Sequence, residues 1–142
     1  MPERARYFVI LRHIWPPGMH WDLLLDRGQA LTAWQLKRNP LILVQTGATA
    51  VIPARRIADH RRFYLHYQGA VSQDRGHVYR IDRGRYHLSG ESEGCQRLIL
   101  EGKLLRGEFL LVSLECEPGN VQRRPSQADY GFRRRRGCRL RP

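Results

Sequence analysis

Tyr7-Phe8-Val9-Ile10-Leu11-Arg12-His13 and Met19-His20-Trp21-Asp22-Leu23-Leu24-Leu25 are two strand-length apolar runs on either side of the turn signal Pro16-Pro17-Gly18. They read as a β-hairpin. Successive side chains of a strand point to opposite faces, so His20, Asp22 and Leu24 share one face while Met19, Trp21 and Leu23 share the other. A histidine and a carboxylate thus project together, and the hairpin brings His13 back towards them.

Short strands continue outward from this hairpin. Leu31 to Leu36, Phe63 to Gln68, Gly76 to Ile81, Arg85 to Leu88, Gln96 to Leu100 and Glu108 to Leu114 carry the pattern, with Asp26-Arg27-Gly28 and Asp82-Arg83-Gly84 as turn signals. About eight short strands at this spacing predict a mainly β chain, either a barrel or a sandwich. Pro53 to Arg62 is the best helix candidate, with proline at a permitted first position, but it spans only two turns and reads equally as a loop.

The chain has 142 residues, enough for one domain with a core. No apolar run approaches the roughly 18 residues of a membrane span. The apolar stretch from Tyr7 to Leu11 is too short for the core of a secretory signal, so a cytoplasmic location is expected. Cys95, Cys116 and Cys138 show no C-x-x-C spacing, which points to neither structural zinc nor a disulfide framework.

The formal net charge is +12, and all but two of the basic residues, Lys37 and Lys103, are arginine. A polyanion is the expected partner, because the planar guanidinium matches phosphate oxygens bidentately. Eight arginines against one acid, Asp129, lie between Val121 and Pro142. The expected organisation is a body over residues 1–118 and an Arg-rich, disordered tail over 119–142. Arg133, Arg134, Arg135 and Arg136 would give that tail sequence-independent contact with nucleic acid; the alternative is a merely solubilising tail.

Two groups of residues have chemical potential. His13, His20 and Asp22 offer two imidazoles and a carboxylate, a donor set that suits manganese, iron or zinc better than calcium and leaves coordination positions open. Against this stands a structural reading, in which strand-end histidines cap or hydrogen-bond. His60 lies among Arg55, Arg56, Arg61 and Arg62, a concentration of positive charge that would attract phosphate, or else a solvated basic loop. Tyr64 and His66 share a face if their segment is a strand, and either could line a pocket. His77 and His87 read as structural. No nucleophile elbow, Walker loop or H-E-x-x-H is present, so covalent catalysis is not indicated.

Several segments occur in an order that carries more information than any one of them. They are Phe8-Val9-Ile10-Leu11-Arg12-His13, then His20-Trp21-Asp22, then Ala33-Trp34-Gln35-Leu36-Lys37 with Pro40. Ala58-Asp59-His60 with Tyr64 follows, then Gly76-His77-Val78-Tyr79-Arg80-Ile81-Asp82-Arg83-Gly84-Arg85-Tyr86, and last Leu105-Arg106-Gly107-Glu108-Phe109. Together they resemble the 3′-phosphoesterase domain of bacterial DNA ligase D. The resemblance implies a small closed or partly open β-barrel of about eight strands with short flanking helices. It implies a divalent metal, manganese above zinc or another transition metal, on His13, His20 and Asp22, and His60 and Tyr64 in the active site. The implied activity is removal of a 3′-phosphate or 3′-ribonucleoside from DNA ends in end joining; a nucleoid-associated monomer is expected, with any polymerase or ligase a separate chain. Leu24 and Ile52 stand where the resemblance expects arginines, with Arg55 and Arg56 as the nearest substitutes, and Ser72-Gln73-Asp74-Arg75 replaces a longer loop. The alternative these departures raise is a catalytically impaired, nucleic-acid-binding repair accessory on the same fold.

Overall fold

The computed structural model describes residues 6–45, 49–114 and 129–135, and for Asp129 the backbone alone. Nine strands are present among them: β1 (Arg6–Trp15), β2 (Gly18–Asp26), β3 (Leu31–Leu36), β4 (Ile52–His60), β5 (Gly69–Ala70), β6 (His77–Ser92), β7 (Cys95–Gly102), β8 (Arg106–Ser113) and β9 (Asp129–Arg134). The only helical segments described are two 3-10 turns, η1 (Pro40–Val44) and η2 (Arg62–Leu65). None of the described helices is long and apolar enough to cross a membrane.

Eight of the strands form a hydrogen-bonded ring in the order β1-β2-β3-β4-β9-β8-β7-β6, which closes through antiparallel pairing of β6 with β1. The ring closes because β6 is long. Its first part pairs with β1 as far as Tyr86, and from Gly84 onward it pairs with β7. Inside the ring Phe8, Ile10, Leu23, Leu25, Trp34, Leu36, Ile52, Leu98, Phe109 and Phe132 form one core contributed by strands all round it. The alternate residues Val9, Leu11, Leu24, Leu31 and Ala33 point outward, where Leu65, Val71 and Val78 cover them as a second apolar cluster. The period-two pattern of the first three strands thus buries both faces, which is why they read as nearly continuous apolar runs.

Four sequence expectations are corrected. Pro53 to Arg62 is not helical: Ile52 and Ala54 face the core at strand spacing, and β4 pairs with β3 and β9. Phe63 to Gln68 is not a strand. Its first part is η2, whose curvature turns Leu65 down onto Val9 and Leu11 and leaves Phe63 exposed. Asp82-Arg83-Gly84 is not a turn but the middle of the 16-residue β6. Residues 129–134, read as tail, form β9 and fill the space between β4 and β8, because Phe132 supplies a fully buried ring stacked on Phe109. Arg133 and Arg134 therefore lie in the sheet, whereas Arg136 lies outside the described residues.

Arg135 is anchored as well. Both carboxylate oxygens of Glu108 on β8 accept hydrogen bonds from its guanidinium at 2.8 Å, and Arg97 on β7 adds a third at 3.1 Å. Burial alone pushes the Glu108 carboxyl up, but the hydrogen bonds and charges of Arg135 and Arg97 together outweigh it and hold the group below the ordinary glutamate value. A carboxyl with a lowered folded value contributes stability above its unfolded value and loses it as pH falls through the folded one. Glu108→Gln is accordingly expected to flatten the acid limb of stability against pH below the ordinary glutamate range, which denaturant melts at several pH values would measure.

Candidate functional site

The β1–β2 hairpin pairs His13 directly with His20, and Asp22 with Leu11, so all three polar groups emerge on the outer face of the ring beside Leu11. The ligand-bearing atoms of His13, His20 and Asp22 all lie within 4.8 Å of one another. His20 Nε2 is 3.2 Å from Asp22 Oδ1, and His13 Nδ1 is 3.9 Å from Asp22 Oδ2. Metal–donor distances of about 2.0–2.2 Å allow two donors of one ion to stand up to about 4.4 Å apart, so both separations suit a shared cation.

Two further observations bear on that fit. Asp22 is 2% exposed, and its Oδ1 accepts no hydrogen bond from any described residue. A buried carboxylate without donors is costly unless a cation neutralises it. The second is the state of His13. Its Nε2 lies 2.6 Å from the backbone carbonyl of Arg75, which can only accept, so Nε2 carries the hydrogen. In the neutral ring the lone pair then sits on Nδ1, facing the carboxylate. This is how metal-ligating histidines are usually oriented, by a carbonyl on the far nitrogen. The residues present fit a divalent metal.

The Arg75 carbonyl is held by an unusual turn. Gln73 and Asp74 have φ of 62° and 55°, the left-handed region that side chains rarely adopt, and Gly76 follows at 80°. A Cβ on Gly76 would collide with the Ile14 carbonyl, so only glycine brings this loop against the end of β1. The Arg75 guanidinium folds back onto the Ser72 carbonyl and hydroxyl.

His13 and Asp22 open into a cleft of about 260 Å³ also lined by His60, Arg61, Tyr64 and Arg75, with Leu11, Val71 and Val78 as apolar wall. A bulge prepares the opposite wall. Leu31 pairs with His60 and Ala33 with Ile57, so Ala58 and Asp59 together oppose Thr32, a one-residue bulge in β4 beside the cleft. The His60 Nδ1 donates to the Ala58 carbonyl at 3.0 Å, and its ring meets Tyr64 edge-on. The Arg61 guanidinium lies over the rings of Phe63 and Tyr64. Arg62 anchors η2 by a two-pronged bond to the buried Asp26 carboxylate at 3.1 and 3.0 Å.

The structure thus brings together His13, Asp22, His60 and Tyr64, with His20 bound into the cluster at Asp22. It does not bring Arg55 or Arg56 to the cleft. Arg55 is exposed, and Arg56 is engaged with Asp59 at 2.6 Å and with the Trp34 ring. Their places are taken by Arg61 and Arg75. Arg61 was visible only as one of four arginines around His60, and nothing local marks Arg75, which reaches the site through a contact 62 residues away from it in the chain. Leu24 and Ile52 are fully buried in the outer and inner apolar clusters.

A ring of strands bearing a His-His-Asp donor set, beside a cleft lined by a histidine and two arginines, defines an all-β protein prepared for a cation and an anion side by side. The chain belongs to the family of the DNA ligase D 3′-phosphoesterase domain, whose model matches residues 12–113. The matched stretch contains every residue of the cleft except Leu11 and ends with β8, before β9. No curated protein matches the chain.

Proposed function

We propose that this protein is a metal-dependent phosphoesterase that clears 3′ ends of DNA, removing a terminal phosphate or ribonucleoside. The observation that carries the reading is the pairing, in one cleft, of a donor set that has a buried orphan carboxylate with the side chains of His60, Arg61 and Arg75. His13, His20 and Asp22 would hold the metal; the mixed nitrogen and oxygen set suits manganese, iron or zinc, and the likeness to the family favours manganese among them. Bound there, a divalent ion supplies Lewis-acid polarisation of a phosphoryl oxygen and lowers the pKa of a water.

The chain's own residues do the rest. Arg61 and Arg75 concentrate positive charge where the phosphoryl group enters, and the aromatic platform under Arg61 keeps its guanidinium in place. Because His60 gives its Nδ1 hydrogen to Ala58, Nε2 is the nitrogen left to the substrate. Protonated, it donates to a phosphoryl oxygen or to the departing 3′ oxygen; neutral, it accepts a proton from the attacking water. Tyr64, held against His60, can donate to the same phosphoryl group. Water adds to phosphorus and the bond to the leaving oxygen breaks. At a terminal phosphate the 3′ oxygen leaves, giving a 3′-hydroxyl and phosphate; at a terminal ribonucleoside its 5′ oxygen leaves, giving the free nucleoside and a 3′-phosphate that the first reaction then removes. A 3′-hydroxyl is what a polymerase or ligase requires, so the reaction belongs before resynthesis and sealing in end joining.

The test is release of phosphate or nucleoside from a labelled primer-template ending in a 3′-phosphate or 3′-ribonucleotide. Stripped protein is expected to be inactive, and manganese to restore turnover. A second reading, a DNA-binding accessory without turnover, draws on Leu24 and Ile52, two fully buried apolar residues at places where the resemblance expects arginines. Folded, manganese-loaded protein that binds DNA and releases nothing would establish that reading instead.

A further inference from the structure

A second recess lies on the same outer wall of the ring. It has a volume of about 600 Å³ and is lined by Arg62 and His66 at one side and by Arg83, Arg85 and Lys103 at the other, with Tyr7 at its base. We propose that this groove binds the phosphate backbone of the DNA strand whose 3′ end occupies the cleft. The proposal rests on the phosphoesterase reading of the cleft and adds the path the substrate takes away from it.

Geometry links the two recesses. Tyr7, Val9, Leu11 and His13 project in line from the outer face of β1, with His13 in the cleft and Tyr7 in the groove. Six residues of strand separate them, about 20 Å at the usual rise. Between them Leu65 of η2 seats on Val9 and Leu11, so η2 forms a ridge. Arg61 and Tyr64 line the cleft on one side of that ridge, and Arg62 and His66 line the groove on the other. A strand leaving the cleft over the ridge would reach the groove within about six nucleotides of its 3′ end, an upper bound set by the spacing of about 3.4 Å per phosphate in a stacked strand.

The charge is also placed for this use. Among the described residues the side chains of Arg83, Arg85 and Lys103 have no hydrogen-bonding or acidic partner, unlike Arg56, Arg62, Arg97 and Arg135, which are all paired. The groove contains one acid, Glu101, which lies 3.8 Å from His87. Arg83 and Lys103 also border a smaller hollow with Arg80, extending the basic surface along β6. Tyr7 is 42% exposed, an aromatic face on which a base can stack. Unpaired arginines beside an open aromatic ring suit a nucleic-acid strand better than an acidic peptide, which offers no base to stack.

The experiment measures binding of manganese-loaded protein to single-stranded DNA ending in a 3′-hydroxyl, so that no turnover intervenes, with oligomers of 3 and 12 nucleotides over a range of salt. Each phosphate contact on single-stranded DNA contributes about 0.7 to the slope of log affinity against log salt. The triple variant Arg83→Gln, Arg85→Gln, Lys103→Gln is expected to lose about 2 from that slope on the 12-mer and to bind the 3-mer like the wild type. Arg85→Gln alone should lose about 0.7, which keeps the test valid should the triple variant fold poorly. An unchanged slope on the 12-mer, or an equal loss on the 3-mer, would overturn the groove. Turnover of a 3′-phosphorylated trimer is measured separately: its absence in the wild type would count against the phosphoesterase reading, while the slope still decides the groove.

Discussion

Asp82→Ala is expected to lower the free energy of unfolding by about 3–5 kcal/mol. Asp82 is 4% exposed in the middle of β6. Its Oδ1 accepts from the backbone N–H of Arg83 and Lys103, both at 2.9 Å, and its Oδ2 from Leu104 and Leu105 at 3.2 and 2.8 Å. One carboxylate thus closes the turn between β7 and β8 and ties it to β6. Truncation to alanine leaves four backbone donors without their acceptor, the Leu105 N–H in a buried position and the other three part-buried. The Asp-Arg-Gly segment is in this sense architectural: Gly84 and Gly102 face each other across the β6–β7 pair, and a side chain on either would meet the opposite backbone or Asp82 itself. Urea or thermal melts of Asp82→Ala and Asp82→Asn would measure the loss; a melt within 1 kcal/mol of wild type would contradict the assignment.

Asp22→Asn is expected to do the opposite in the stripped protein and to abolish its response to metal. Its carboxylate lies buried beside two imidazoles with an oxygen no donor satisfies, so exchanging it for an amide of the same shape removes a charge the metal-free fold holds at a cost. The stripped variant should therefore melt no lower than stripped wild type. Manganese should raise the melting temperature of wild type by mass action and leave the variant unmoved. Turnover should fall by about 10³-fold or more, the rate equivalent of the several kcal/mol a catalytic metal contributes. A structural carboxylate would behave differently: its replacement would destabilise the stripped protein, and manganese would have no effect on either form.

The hairpin was legible because two kinds of local information agree there. The Pro16-Pro17-Gly18 signal marks the reversal, and strict alternation sets which residues face out, so His13, His20 and Asp22 converge as the spacing requires. Where one kind of information stood alone, the reading failed. Asp82-Arg83-Gly84 has the residues of a turn, but its aspartate serves a turn elsewhere in the chain, a use visible only once β7 and β8 are in place. Pro53 satisfies a helix start and equally a strand whose neighbour does not need its missing N–H. In β9 a short Tyr130-Gly131-Phe132 pattern is submerged in arginines, and charge outweighed the single buried ring that holds it in the sheet. The arginines of the cleft illustrate the same limit. Arg55 and Arg56 stood out as the nearest substitutes for the arginine expected at Ile52, but a bulge at Ala58 and Asp59 precedes the turn by which Arg61 enters the cleft, and the loop before β6 delivers Arg75 from afar.

These observations make one claim central: His13, His20 and Asp22 hold the metal that the cleft uses on a 3′-terminal phosphate. Its most direct test measures, on one preparation, manganese bound per chain and phosphate released from a 3′-phosphorylated primer-template, for wild type and His13→Ala. One ion per chain with turnover, both lost in His13→Ala while the fold persists, is the predicted result. Manganese that stays bound in the variant, or turnover that survives in it, would contradict the account.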